Sequence, residues 1–244
     1  MKIGILETGQ LPEELSGRHG DYPDMFKRLL RTAAPDLEFA VYRITEGEMP
    51  QAVRECDGWL VTGSKHGVYD DLPWIEPLKT FLRQAYAAHV PVVGICFGHQ
   101  ILAEALGGKA EKSEKGWGLG VHRYRVERKP QWMTGIGGEL RLLALHQDQV
   151  TRPPADAEVL AGSEFCPYGI LAYPGNAMSI QLHPEYMAPF YRELIDLRRR
   201  TGAFSENDAE AALDTLDAPA DSTPVAQWIL QFMQGCLREH RATA

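Results

Sequence analysis

The chain has 244 residues, of which 44% are hydrophobic and 24% charged, and it carries a formal net charge of −8. That length can bury a large core and is expected to form one domain. The acidic balance, with no Lys/Arg-rich run, argues against a surface built for nucleic acid or an anionic membrane. Nowhere do about 18 apolar residues run together as a membrane span requires, and MKIGILETG lacks the apolar length and cleavage pattern of a secretory signal. The four cysteines, Cys56, Cys96, Cys166 and Cys236, show no C-x-x-C spacing. Reduced thiols in a cytoplasmic protein are expected, rather than a disulfide framework or a zinc site.

Lys2 to Glu7 is an apolar run ending at Thr8-Gly9, and Tyr22 to Ala34 places Met25, Phe26, Leu29, Leu30 and Ala33 at helical spacing before Pro35. A strand, a loop and a helix are predicted. Leu37 to Ile44 alternates as a second strand, and Trp59-Leu60-Val61 begins a third that ends in Thr62-Gly63-Ser64. Pro73 to His89 sets Trp74, Leu78, Phe81 and Ala85 along one face of a long helix, a stripe for core packing rather than a ligand box. Pro91 to Gly108 then reads as strand, sharp turn and helix, with Ile101, Leu102, Ala105 and Leu106 on one face and Gly107-Gly108 as the stop. Four alternations of strand and helix predict a three-layer, flavodoxin-like α/β fold, its mostly parallel sheet covered by helices on both faces. Ligands of such sheets bind beyond the carboxyl ends of the strands, which places Thr62-Gly63-Ser64 and Cys96-Phe97-Gly98 on one rim.

From Lys109 the pattern changes to short β-like runs at Gly120 to Val126, Leu140 to Leu145, Ala157 to Ala161, Gly169 to Tyr173 and Met178 to Leu182. They predict an antiparallel annex with turns at Pro153-Pro154 and Pro174-Gly175-Asn176. Pro189 to Arg200 is helical, and Ser205 to Ser222, with six acidic residues and no Lys or Arg, reads as a solvated surface segment. Val225, Trp228, Ile229, Phe232, Met233 and Leu237 then recur at the spacing of a terminal helix docked on the body.

The chemistry centres on Gly94-Ile95-Cys96-Phe97-Gly98. The G-x-C-x-G spacing is the cysteine counterpart of the nucleophile elbow, whose glycines let the backbone turn tightly enough to expose one side chain. A thiol at a helix N-terminus meets unpaired N–H groups and the positive end of the macrodipole, both of which favour thiolate. A free cysteine is more often a small buried hydrophobe, but the two glycines favour a nucleophile. Such a nucleophile needs an imidazole, and the imidazole needs a group to orient it. Of eight histidines, His99 is tied to the elbow helix, while His19, His66, His89, His122 and His240 have no acid at a fixed spacing after a strand. His146-Gln147-Asp148 and His183-Pro184-Glu185 each carry an acid two residues on, on the same face of an extended chain. Spacing does not separate them, although Pro184 would pre-set the relation of His183 to Glu185.

Three motifs, Gly94-Ile95-Cys96-Phe97-Gly98-His99-Gln100, Leu145-His146-Gln147-Asp148-Gln149-Val150 and Gln181-Leu182-His183-Pro184-Glu185, resemble those of the class I (triad) glutamine amidotransferase family in order and approximate spacing. The resemblance runs from the first strand through Glu185 and implies a catalytic core over 1–189 with a C-terminal helical extension over 190–244. It implies Cys96 as nucleophile, His183 as general base and Glu185 as its orienter. The backbone N–H groups of Gly63 and Phe97 would form the oxyanion hole, and Gln100, His146 and Gln147 would hold the α-amino and α-carboxylate groups of the substrate. The implied reaction is hydrolysis of glutamine through a γ-glutamyl thioester, with no cofactor and no metal. Many members carry Gly-Gly-Pro where this chain has Thr62-Gly63-Ser64. No phosphate-cradling G-x-x-x-x-G-K-[ST] sequence occurs, so an ammonia acceptor would be a separate synthetase chain. The region from Thr62 to Glu185 is also similar to stand-alone γ-glutamyl peptidases of the same superfamily, and a non-catalytic partner module of the same fold is the third reading.

Overall fold

The structure is a computed structural model that describes residues 1–243, with side chains through residue 240. Its frame begins with strands β1 (Lys2–Glu7), β2 (Glu38–Arg43), β3 (Gly58–Val61) and β4 (Val92–Ile95). β1 lies between β2 and β3, and β3 lies beside β4, all in parallel register. β3 and β4 are buried along their whole length, as expected of parallel strands covered on both faces.

Helices α2 (Tyr22–Arg31) and α7 (Ser222–Thr243) cover one face, packing Phe26, Leu30, Trp228, Ile229 and Met233 against Ile3, Ile5, Leu60 and Val93. Helices α3 (Ile75–Ala87) and α4 (Phe97–Ala105) cover the other, with Leu78, Phe81, Leu82, Ile101 and Leu102 against Leu6, Trp59, Val61 and Val92. These are the apolar stripes of the sequence, now facing a sheet from both sides. Between β2 and β3 the predicted fourth alternation is absent. A single 3-10 turn, Ile44–Glu46, stops at Gly47, whose φ of 86° ends it.

The annex differs from expectation in where most of it sits. Strands β6 (Gly118–Val126), β7 (Glu139–His146), β9 (Glu158–Gly162), β10 (Ile170–Tyr173) and β11 (Ala177–Ile180) extend the central sheet. The result is nine strands in the order β2-β1-β3-β4-β11-β10-β9-β6-β7. Only β5 (Lys109–Lys112) and β8 (Asp148–Arg152), neither of which is conspicuous in the sequence, pair separately as a small antiparallel sheet. β11 returns from the β10 hairpin and inserts parallel beside β4, with Ile180 opposite Ile95.

A third cluster lies over the carboxyl edge of the sheet, where α1 (Glu13–His19), α5 (Ala188–Arg200) and α6 (Glu206–Asp214) pack Leu15, Tyr191, Leu194, Ile195 and Ala209 together. α1 is not evident in the sequence. The acidic segment is not wholly solvated, because Ser205 accepts the Asp208 N–H as the N-cap of α6 and Ala209 and Ala212 are buried. Its carboxylates face outward while its alanines pack inward.

Candidate active site

Three adjacent strand ends build the site. β3, β4 and β11 run parallel side by side, so the residues that follow them, Thr62-Gly63, Cys96 and Gln181 to His183, emerge on one rim. Cys96 N–H donates to Ile180 C=O at 2.9 Å and Gly98 N–H to Thr62 C=O at 3.2 Å, which fixes the turn between its neighbours. Cys96 has a φ of 53°, unusual for a residue with a side chain, and such strain costs about 1–3 kcal/mol. Both elbow glycines are required by space. A Cβ on Gly94 would lie 2.2 Å from Gly98 O, and one on Gly98 would lie 2.4 Å from Val61 O.

His183 and Glu185 are buried, and the His183 Nδ1 is 2.7 Å from Glu185 Oε1. The imidazole ring stacks on Tyr186, with centroids 4.0 Å apart and planes 4° from parallel. Burial works against the imidazolium, but the charges of Glu185 and Cys96 outweigh it and raise His183 above its ordinary value to about 10. Its Nε2 is buried and has no partner among the described residues. His146 differs in kind. Its Nδ1 contacts the backbone C=O of Asp148 at 3.1 Å, not a carboxylate, and burial, with His122 adding to it, holds the ring down at about 3. The two histidines that spacing leaves equivalent are therefore separated by their partners: one ring is bound to a carboxylate that favours its charged form, while the other meets a backbone carbonyl, is pushed toward its neutral form by burial, and lines the cavity.

Gly63 lies against both groups, since a Cβ there would be 3.0 Å from His183 Cε1 and 3.7 Å from Cys96 Cβ. The direction of its N–H follows from the preceding peptide. Thr62 C=O is held by the Thr8 hydroxyl at 2.9 Å and by Gly98 N–H, and in a trans peptide the Gly63 N–H points the opposite way. Thr8 N–H donates to Thr62 Oγ1 at 3.0 Å, which locks the loop from β1. Phe97 is the first residue of α4, so its N–H has no acceptor within the helix. Ser64 closes a local turn by accepting His66 N–H at 3.2 Å, so the loop is ordered without the family's proline.

Gln100 and Gln181 form an amide chain on the other side of the thiol. Gln100 Nε2 donates to Asp148 C=O at 2.9 Å and to Gln181 Oε1 at 3.2 Å, and Gln181 Nε2 donates to Cys96 Sγ at 3.7 Å. Cys96, Gln100, His146, Gln147 and His183 all line one cavity of about 310 Å³. Trp117, 37% exposed, also lines it and packs edge-on against Phe204 at 5.8 Å.

Sequence reading does not single out Thr8, Gln181, Tyr22, Tyr186, Arg198 or Phe204. Gln181 stands inside a recognised motif and Thr8 ends a predicted strand, so each had a positional signal. Arg198 and Phe204 had none, being a cation and an aromatic ring in or next to a helix.

The fold is a mostly parallel α/β sheet that places the Cys96 elbow beside the buried His183–Glu185 pair. The glutamine amidotransferase class-I family model matches residues 21–194, more than half of the chain, and the chain belongs to that family. It is 28% identical to a glutamine amidotransferase-like protein of Schizosaccharomyces pombe, over 95% of this chain and 98% of that one. It is 29% identical to gamma-glutamyl peptidase 4 of Arabidopsis thaliana, over 82% and 81% of the two chains. Among solved structures, a glutamine amido transferase from Methylobacillus flagellatus superposes with a TM-score of 0.75 at 24% identity, covering 98% of this chain and 94% of that one, and supports the fold. No described helix is long and apolar enough to cross a membrane.

Proposed function

We propose that the protein is a cysteine hydrolase of γ-glutamyl amide bonds, with Cys96 as nucleophile, His183 as acid and base, and Glu185 as the group that orients His183. The Cys96 thiolate attacks the γ-carbonyl, and the resulting oxyanion is held by the N–H groups of Gly63 and Phe97. His183 gives its proton to the leaving amine as the C–N bond breaks, leaving a γ-glutamyl thioester. His183 then takes a proton from water, which attacks the thioester, releases glutamate and restores the thiolate. The observation that carries this reading is the buried His183–Glu185 pair, 2.7 Å apart, on the rim that carries the Cys96 elbow. Gln100, His146 and Gln147, which line the same cavity, would hold the α-amino and α-carboxylate groups.

Within this class a γ-glutamyl peptide is favoured over glutamine. The cavity of about 310 Å³ is lined by Tyr22, Arg198 and Phe204 as well as His183, which leaves room for an amine larger than ammonia, and a relative of 29% identity is named a gamma-glutamyl peptidase. Hydrolysis of glutamine, with ammonia passed to a separate synthetase chain, is the second reading. Four free cysteines suit the reducing cytoplasm. Glutamate release from glutamine and from glutathione, measured separately with Cys96→Ala as control, tests the reading. Cleavage of glutathione in preference to glutamine is expected. Cleavage of glutamine alone would support the synthetase-coupled reading, and release no greater than the control from either substrate would overturn the enzymatic assignment.

A further inference from the structure

The cavity has two walls of different origin. One is made by the β7–β8 connection and α4, with His146, Asp148 and Gln100. The other starts at the ring of His183: His183 stacks on Tyr186, Tyr186 stacks on Tyr22 at 6.3 Å, and the Arg198 guanidinium acts electrostatically on Tyr22. His183 delivers its proton to the departing nitrogen, so this second wall is where a leaving group lies.

Arg198 stands there without a partner. It is half-buried on α5 and lines the cavity, and its side chain makes no ion pair or hydrogen bond among the described residues. Its neighbour Arg199, by contrast, is bound to Asp196 and Glu206. Carboxylates lining the cavity do not serve it: Asp70 faces His66 at 3.5 Å, and Asp148 is engaged by Tyr69. The cavity's other cations, Lys65 and Lys112, are exposed. A partly desolvated guanidinium with all its donors open is suited to a carboxylate, which it can hold by two parallel hydrogen bonds. Arg198 and Phe204 also lie beyond residues 21–194, the span matched by the family model.

Resting on the γ-glutamyl peptide reading, we propose that Arg198 is a substrate-binding residue that recognises a free carboxylate on the leaving amine, so that the preferred substrates are γ-glutamyl peptides ending in a carboxylate rather than neutral γ-glutamyl amides. The test compares glutathione with its glycine amide, using the wild type, Arg198→Met, Arg198→Lys and, as a control cation, Lys65→Met, with melting temperatures to establish folding. Loss of a charge-assisted pair predicts a fall in kcat/KM of about 10- to 100-fold for Arg198→Met on glutathione. The fall is carried by KM, the amide is turned over as before, and Arg198→Lys recovers part of the preference. Equal losses on acid and amide, wild-type indifference between them, or the same loss in Lys65→Met would overturn the assignment to Arg198 while leaving the peptidase reading intact. Failure of the wild type to cleave either peptide while it hydrolyses glutamine would overturn the peptidase reading, and this inference with it.

Discussion

Gln181 offers a direct test of how the nucleophile is held. Its side chain has no solvent exposure, and its Nε2 donates to Cys96 Sγ at 3.7 Å while its Oε1 accepts from Gln100 at 3.2 Å. Replacement by leucine keeps an approximate volume and removes both interactions. A hydrogen bond to a charged acceptor contributes about 1.5–3 kcal/mol, and the long contact to sulfur argues for the lower figure. About 1.4 kcal/mol is a tenfold change in an equilibrium, so losing the Gln181 contact should lower the reactivity of Cys96 about tenfold. Iodoacetamide labelling of Cys96 at pH 6, followed by peptide mass spectrometry, should therefore slow about tenfold in Gln181→Leu. Gln100 Nε2 keeps Asp148 C=O as an acceptor, which limits the stability loss to about 0.5–1.5 kcal/mol for one neutral bond. A lowered melting temperature with an unchanged labelling rate at pH 6 would refute the reasoning and leave Gln181 as packing alone.

Glu185→Gln removes the charge that counts most toward raising His183 to about 10 against burial. The imidazolium's contribution to stability is complete below about 6.5 and is lost as pH rises through about 10, so in the variant the alkaline limb of kcat should move to lower pH and kcat fall about 10²- to 10⁴-fold. An unmoved limb would contradict the pairing. Gly98→Ala would force a Cβ within 2.4 Å of the Val61 carbonyl oxygen; circular-dichroism melts should show a loss of about 1–3 kcal/mol, together with loss of preferential Cys96 labelling. Glu7, 3% exposed, is raised to about 7 by burial, with Asp21 adding to the shift and Arg43 opposing it. Its contribution is complete below about 4.5 and lost as pH rises through about 7, so Glu7→Gln should be more stable than wild type by about 1–3 kcal/mol at pH 8 and should lose that advantage near pH 4.5. Urea titrations at the two pH values check this, and equal differences at both would sink it.

The elbow was legible because its geometry demands particular residues. Gly94 and Gly98 are the only side chains that fit against Gly98 O and Val61 O, so the constraint is written as a spacing. The rim shared by Gly63 and Cys96 follows from strand order in a parallel sheet. The placement of β11 was not legible, because four residues, Ala177–Ile180, returning from a hairpin read the same whether they next pair with another hairpin or slot beside β4. That insertion brings His183 to Cys96, so local spacing could not choose between His183 and His146. The choice depends on partners that only the fold supplies, Glu185 Oε1 for one ring and a backbone carbonyl for the other. α6 was hidden for a related reason: its acidic face dominates the composition, while burial of Ala209 and Ala212 needs little apolar area.

Two parts of the cavity lining are held in place by different physics. Gly63, Cys96 and Gln181 to His183 sit at the ends of hydrogen-bonded neighbouring strands, where a register shift in one strand would break the pairing of the next. Tyr22 and Arg198 project from α2 and α5, and Phe204 follows α5; these helices are held by the packing of apolar faces such as Tyr191, Leu194 and Ile195. A helix can exchange one cavity-facing side chain without disturbing its buried stripe, so on the proposed function a change at position 198 is expected to alter the class of leaving group while Cys96 and His183 stay where the sheet puts them. In this chain that residue is an arginine whose side chain has no ion pair or hydrogen bond among the described residues and which acts on Tyr22, the ring stacked on Tyr186, itself stacked on His183; the proposed recognition of the departing amine would then lie on the side from which His183 would deliver its proton.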